Sequence, residues 1–200
     1  GYNEAFLIAT VDRVGFPCDT VVCKKCNFVF NDSYIADPEK FYKQKWGEDR
    51  WGNPEKNFEK RTSIDHYSWR RFAWVVKNLG GLVGINEILE VGCGDGCNLF
   101  PYHLAGYSVT GLDYDERYLV PGRNQGLNLM VGDIFNNDLQ GNKFDLILMI
   151  HAFEHMINLD DVVLAAKRHL NPGGFVYIEV PGILYWNRKY CNKISSGGMA

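Results

Sequence analysis

No run of apolar residues in this sequence approaches the length of a membrane span. Phe6-Leu7-Ile8-Ala9 is too short for the core of a secretory signal and has no basic flank, so a cytoplasmic protein is expected. A basic excess is also missing. Lys and Arg number 21 against 24 Asp and Glu, a net charge of −3, which gives no general reason to expect nucleic acid as a partner. Six cysteines without a secretory signal imply reduced thiols, some of them available to a metal, and not a disulfide framework.

Apolar material is plentiful: hydrophobic residues make up 46% and aromatics 14% of the chain, enough for a sizeable core, as one domain or as one domain plus a small appendage. The most informative segment is Glu90-Val91-Gly92-Cys93-Gly94-Asp95-Gly96. It follows Ile88-Leu89 and leads into Asn98-Leu99-Phe100, so it reads as a strand, a glycine turn and a helix start. Glycines here let the backbone approach a ligand, and the free N–H groups of the following helix start point to the same spot. The spacing G-x-G-x-G departs from the dinucleotide fingerprint G-x-G-x-x-G, whose third glycine would fall at Cys97. Glu90, two positions before the first glycine, is awkward for a pyrophosphate but suits a cationic ligand. Asp113, at the end of the run Tyr107 to Leu112, can accept both hydroxyls of a ribose. A ribose, a positive charge and no phosphate together describe S-adenosylmethionine.

Further strands follow in order. Leu127 to Val131 ends in Gly132-Asp133-Ile134, where a carboxylate can accept an adenine amine. Residues 143–150 form a nearly continuous apolar run, the mark of a strand buried on both faces. Asn158-Leu159-Asp160-Asp161 reads as a helix start, with Val162, Val163, Ala166 and Leu170 at helical spacing. Asn171-Pro172-Gly173-Gly174 stops that helix and Phe175 to Val180 gives a fifth strand. Alternating strands and helices predict an α/β fold, a mostly parallel Rossmann-like sheet with helices on both faces and a ligand crevice at the carboxyl ends of its strands.

With its segments EVGCGDG (90–96), GLDYDE (111–116), GDIF (132–135), FDLILMIHAFEHM (144–156) and LNPGGFVYIEVP (170–181), the chain resembles the class I S-adenosylmethionine-dependent methyltransferases. The resemblance implies a methyltransferase with S-adenosylmethionine held by Glu90, Gly92, Gly94, Asp95, Gly96, Asp113, Tyr114, Asp133 and Ile134. Tyr67 or His66, on a helix ahead of the first strand, would lie at the methionine end. It further suggests a small-molecule acceptor, with a sugar, activated sugar or nucleotide-sugar as the candidate. Methyl transfer is an in-line displacement that needs positioning and, for a hydroxyl or carbon acceptor, a base. His151, Glu154 and His155, just past the fourth strand, are the catalytic candidates, because a histidine can take a proton near neutral pH. Two other classes stay open at this level: a nicotinamide oxidoreductase, disfavoured by the glycine spacing, and a non-catalytic cofactor-binding or interaction module.

The first part of the chain is organised differently. Cys23-Lys24-Lys25-Cys26, between Val21-Val22 and Phe28-Val29-Phe30, reads as a knuckle in a short hairpin and as half of a tetrahedral zinc site, with Cys18 as a third candidate ligand. It resembles the second half of a zinc-binding module found on some methyltransferases, the partner knuckle being expected before residue 1. A division into 1–58, knuckle and aromatic lid, and 59–200, cofactor domain, follows. Trp46 and Trp51 are expected in the lid, Thr62 to Leu79 as one helix, and Phe72 and Trp74 packed on the sheet. Buried Cys93 and Cys97 are expected to pack as small apolar groups. After the fifth strand about 20 residues remain, too few for the helix and two strands that ordinarily complete this sheet, so an incomplete edge is expected.

Overall fold

The computed structural model describes residues 4–11, 17–32, 54–135, 139 and 141–181, and the chain divides in sequence into two compact units, 1–41 and 42–200. In the smaller unit, β1 (Ala5–Val11), β2 (Pro17–Cys23) and β3 (Val29–Asn31) form an antiparallel sheet in the order β1-β2-β3. The hairpin expected around the knuckle is present: Val22 pairs with Val29, and Cys23 and Phe28 are bonded across the turn. β1 was not anticipated. Phe6 and Leu7 pair with Val22 and Val21, and the register then shifts twice, between Leu7 and Ala9 and between Ala9 and Val11.

The larger unit begins, among the described residues, with α1 (Pro54–Thr62) and α2 (Tyr67–Asn78). It continues through β4 (Glu87–Val91), α3 (Phe100–Leu104), β5 (Ser108–Asp113), α4 (Glu116–Asn124) and β6 (Asn128–Val131). Then come β7 (Phe144–Ile150), α5 (Leu159–His169) and β8 (Leu170–Glu179). The five strands form a parallel sheet in the order β6-β5-β4-β7-β8. The chain therefore runs outward from β4 in one direction and returns to run outward in the other. The order reverses between β4 and β7, and a crevice opens there at the carboxyl ends.

Alternation along the strands builds a core on each face. Ile88, Leu146, Leu148 and Ile150 pack with Val75 of α2, Tyr102 of α3, Leu119 of α4 and Phe58 of α1. Leu89, Val91, Ile147 and Met149 point to the other side and meet Val162, Ala165 and Ala166 of α5. That helix carries Asp160 and Asp161 in its first turn and Lys167, Arg168 and His169 in its last, matching its dipole at both ends. Cys93 and Cys97 are buried as expected.

Three boundaries differ from the sequence expectation. Phe58 belongs to the core of the larger unit, so α1 lies wholly within that unit and the division falls upstream of residue 58. The single helix expected over Thr62–Leu79 is broken at residues 63–66. Trp69 Nε1 donates to the Thr62 carbonyl at 2.9 Å and Ser68 Oγ to that of Arg61 at 2.9 Å, which turns the chain, and the His66 side chain caps the new start by accepting from the Ser68 N–H at 3.3 Å. Asn171-Pro172-Gly173-Gly174 does not separate α5 from the last strand. β8 starts at Leu170 and the segment bulges out opposite Asp145, where a Cβ on Gly174 would lie 3.0 Å from the carbonyl oxygens of both Asn171 and Asp145. Trp46, Trp51 and the chain after Pro181 lie outside the described residues.

Candidate functional site

The glycine turn leaves β4 and immediately folds against the end of β5: the N–H groups of Gly92 and Cys93 both donate to the Leu112 carbonyl, at 2.8 and 2.9 Å. Its glycines do two different jobs. Gly92, at φ 73°, has no room for a side chain, since a Cβ would sit 2.5 Å from that of Ala152. Gly94, at φ 54°, has nothing within 4 Å of its Cβ position and is the place where the backbone faces open space. The helix start behaves differently from the sequence expectation. The Gly96 N–H donates to Cys93, those of Leu99 and Phe100 to Gly96, and that of Cys97 to Asp95 Oδ1. With α3 only 5 residues long, these donors are satisfied within the loop and are not turned to a ligand.

Carboxylates supply what the helix does not. Glu90 is fully buried at the end of β4. Oε1 accepts from Asn98 Nδ2 at 2.8 Å, whereas Oε2 has no partner, and burial pushes the carboxyl up to about 8. An unpaired buried carboxylate oxygen is costly unless a donor or cation arrives. Asp113, at the end of β5, accepts from the Gly94 N–H at 2.8 Å with Oδ2 and from the Asp115 N–H at 3.1 Å with Oδ1. Burial nonetheless raises its carboxyl above the ordinary value. The Tyr114 backbone N–H adds a third bond, which leaves one lone-pair site of the carboxylate for a ligand hydroxyl. Asp133, past β6, accepts from Tyr114 Oη at 2.9 Å and from the Phe135 N–H at 2.8 Å. Ile134 is buried in the core beside it. Asp95 is buried and paired with Arg61 of α1 at 3.0 Å, so the loop is tied to the helix ahead of the sheet.

The other half of the crevice, over β7 and β8, is built around Glu179. Arg71 of α2 grips both of its oxygens, at 2.7 and 2.9 Å, and Tyr177 Oη donates to Oε2 at 2.8 Å. Burial alone would raise the Glu179 carboxyl, but the bonds from Arg71 and Tyr177 outweigh it and hold it below its ordinary value. Arg71 also reaches Asn98 Oδ1 at 3.3 Å, and Asn98 in turn holds Glu90, so one continuous polar chain links the two halves. His151 stands at φ 53° with Nε2 3.1 Å from Arg71 Nη2 and 3.3 Å from Glu179 Oε1, and Nδ1 3.8 Å from Glu154. Its backbone N–H donates to the Glu179 carbonyl at 2.8 Å, which fixes its place. His155, half-exposed in a single turn of 3₁₀ helix, lies 3.8 Å from Glu154.

Tyr67 and Trp74 add an aromatic wall. With Arg70, Arg71, Tyr177 and Glu179 they line an open cavity of about 260 Å³. The expectation for Trp74 is overturned: its indole is 55% exposed, against Tyr177 at 5.5 Å, because the face of α2 that packs inward carries Phe72 and Val75. His66 does not line this cavity, since its Nδ1 is taken up by the helix cap. Asn98, Tyr177 and Glu179 are members of the site that sequence reasoning passed over; Arg71 stands in the sequence as an arginine on a helix surface, and only the fold shows that it grips Glu179.

In the smaller unit, Cys23 and Cys26 share the hairpin turn. Backbone hydrogen bonds from Cys26 and Lys25, joined by one from the Cys26 side chain, lower the Cys23 thiol below its ordinary value. Cys18 is not placed to join them. It lies five positions back along the same strand, beyond the register shift between Thr20 and Pro17. Among the described residues no group of three or more His, Cys, Asp or Glu is placed to hold a metal ion.

Residues 89–178 match the family described as a methyltransferase domain. Over that span the chain is similar to methyltransferase domains. Among curated proteins it is similar to the ubiquinone biosynthesis O-methyltransferase of Bordetella avium (strain 197N), 30% identical over 65% of this chain and 55% of that protein. It also resembles the demethylmenaquinone methyltransferase of Tropheryma whipplei (strain Twist), 34% identical over 53% of this chain and 45% of that one. The chain thus spans about half the length of the curated relatives it matches. Among solved structures, the fold is shared with SAM-bound CalS10, an amino pentose methyltransferase from Micromonospora echinaspora. That likeness has a TM-score of 0.52 and 24% identity over 62% of this chain and 55% of that one. PH0226 from Pyrococcus horikoshii OT3 shares it too, with a TM-score of 0.53 and 19% identity over 67% and 64% of the two chains.

Proposed function

We propose that this chain is an S-adenosylmethionine-dependent methyltransferase of a small molecule, with the cofactor over β4, β5 and β6 and the acceptor over β7 and β8. The observation that carries the reading is the unpaired, fully buried Oε2 of Glu90 at the mouth of the glycine turn. It is a buried acceptor awaiting a cation, and the ammonium of the cofactor's methionine end supplies one. Asp113 would take a ribose hydroxyl and Asp133 the adenine amine, beside the open space at Gly94. Bound there, S-adenosylmethionine supplies an electrophilic methyl on a sulfonium.

What the protein adds is placement and a proton acceptor. His151, held by Glu179 and backed by Glu154, is the candidate base, in preference to the more distant His155. Accepting a proton at Nε2 turns its contact with Glu179 into a donated, charge-assisted bond while Arg71 keeps its hold on Glu179 through the other nitrogen. A sugar or activated sugar remains our reading of the acceptor, supported by the aromatic wall and polar floor of the cavity. The test is calorimetric: S-adenosylhomocysteine should bind in the micromolar range or tighter, and NAD should not bind. Binding of NAD alone would overturn the reading.

We also propose that Cys23 and Cys26 provide one half of a zinc site. The lowered Cys23 thiol and the knuckle turn support this. Protein purified from zinc-containing medium should carry metal that Cys26→Ser releases; full metal content in that variant would overturn it.

A further inference from the structure

The cavity beside Glu179 has a chemical bias that the methyltransferase reading does not use. α2 carries two stripes at the same helical spacing. Phe72, Val75, Val76 and Leu79 face the core, while Tyr67, Arg70, Arg71 and Trp74 face the cavity. Two guanidiniums and one carboxylate line it, and that carboxylate is already gripped by Arg71 on both oxygens. Arg71 is thereby neutralised. Arg70 has no ion pair among the described residues and lies instead with its guanidinium 5.4 Å from the Tyr67 ring centroid. No acidic residue occupies the first turn of α2, so nothing on that helix start competes for it, and the helix dipole adds to its positive charge. Stacking on a ring leaves the guanidinium edge free to grip two oxygens side by side.

We propose that this cavity selects an acceptor bearing an anionic group, phosphate or carboxylate, held by Arg70, with the ring that carries it laid against Tyr67 and Trp74. The inference rests on the methyltransferase reading and names the substrate class of that same site. At about 260 Å³, at or just below the usual range of ligand pockets, the cavity suits one ring and one charged group. Its charged lining argues against a long lipid-tailed acceptor. Both Tyr67 and Trp74 are more than half exposed, an unusual state for paired aromatics on one helix face unless a ligand covers them.

The experiment uses the full chain saturated with S-adenosylhomocysteine and two matched probe sets read by calorimetry. Glucose 1-phosphate and glucuronate are compared with glucose, and phenyl phosphate and benzoate with phenol. We expect a charged member of at least one set to bind about 10-fold or more tighter than its neutral partner. That preference should weaken with salt, and whether phosphate or carboxylate wins identifies the source of the charge. Arg70→Gln should abolish the preference while leaving S-adenosylhomocysteine affinity unchanged, and Arg70→Lys should restore part of it. If no charged probe outbinds its neutral partner, absence of binding included, the assignment falls. Preference that survives in Arg70→Gln overturns it equally. Failure of S-adenosylhomocysteine to bind at all overturns the methyltransferase reading and this inference together, so the two failures are read separately.

Discussion

The two halves of the crevice are built from different materials. Over β4, β5 and β6, carboxylates at strand ends are fixed largely by backbone N–H groups: Gly94 and Asp115 hold Asp113, and Phe135 holds Asp133. Over β7 and β8 the fixed points are pairs of side chains far apart in sequence, Arg71 with Glu179 and His151 with both. A backbone-built half is tied to the geometry of the sheet and suits a cofactor that never changes. A side-chain-built half can be altered residue by residue without disturbing the strands, which suits the part of a methyltransferase that meets different acceptors.

If that contrast is functional, the largest effect should come from the side-chain half and should spare cofactor binding. His151→Asn keeps a residue that tolerates the positive φ but cannot take a proton near neutral pH. Turnover on the true acceptor is expected to fall by about 10²–10⁴-fold with S-adenosylhomocysteine affinity intact. Equal turnover would remove His151 from the chemistry and leave positioning as the whole contribution of that half.

The same contrast explains what could be read from the sequence. The strands, the glycine turn and the acids at strand ends stand in local patterns, because buried parallel strands need continuous apolar runs and backbone turns need glycine. The contact of Arg71 with Glu179 spans 108 positions and that of Arg61 with Asp95 spans 34, so neither leaves a periodic trace. Trp74 was misjudged for a related reason: helical spacing identifies two stripes on α2 and does not say which of them faces ligand. The break at residues 63–66 was hidden because it is set by Trp69 and Ser68 bonding to carbonyls across the turn. The glycines were legible as a motif and not as roles, since the crowding of Gly92 comes from Ala152, far along the chain.

That last distinction can be measured as stability. Gly92→Ala meets both the positive φ and the Ala152 side chain, and should cost about 2–4 kcal/mol in urea unfolding. Gly94→Ala meets only the φ and should cost about 1 kcal/mol, its larger consequence being weaker S-adenosylhomocysteine binding at the open face. Equal costs would mean that the loop relaxes around either Cβ and that Gly92 has no packing role.

A smaller change is expected from the ribose acid. Asp113→Asn keeps the shape of the side chain but loses charge-assisted bonding, so S-adenosylhomocysteine should bind about 1–3 kcal/mol more weakly in calorimetry. The substitution also weakens the bonds from Gly94 and Asp115, so part of the loss should appear as lower stability without ligand. Unchanged affinity would move the ribose elsewhere and break the assignment of the backbone-built half.

The effect that is smallest per step, one pH unit at a time, is also the most discriminating, because the two halves should respond with opposite sign. Glu90 has a folded value near 8, raised by burial from an ordinary 4.5. Between those values the folded chain holds a proton there that the unfolded chain has released, so this group makes stability fall as pH rises through the window. Glu179 is the reverse: Arg71 and Tyr177 hold it below its ordinary value. Its contribution is present above that ordinary value and is lost as pH falls through the lowered one. Urea unfolding of the parent and of Glu90→Gln at intervals between pH 5 and 8 isolates the first term, since the other titrating groups are common to both. The variant should gain on the parent as pH rises, by no more than about 1.4 kcal/mol per pH unit. Saturating S-adenosylhomocysteine should suppress that gain, because an ammonium beside Oε2 stabilises the ionised carboxylate and releases its proton on binding. Parallel curves without ligand would mean that Glu90 is ionised in the empty protein and that its buried oxygen is already compensated.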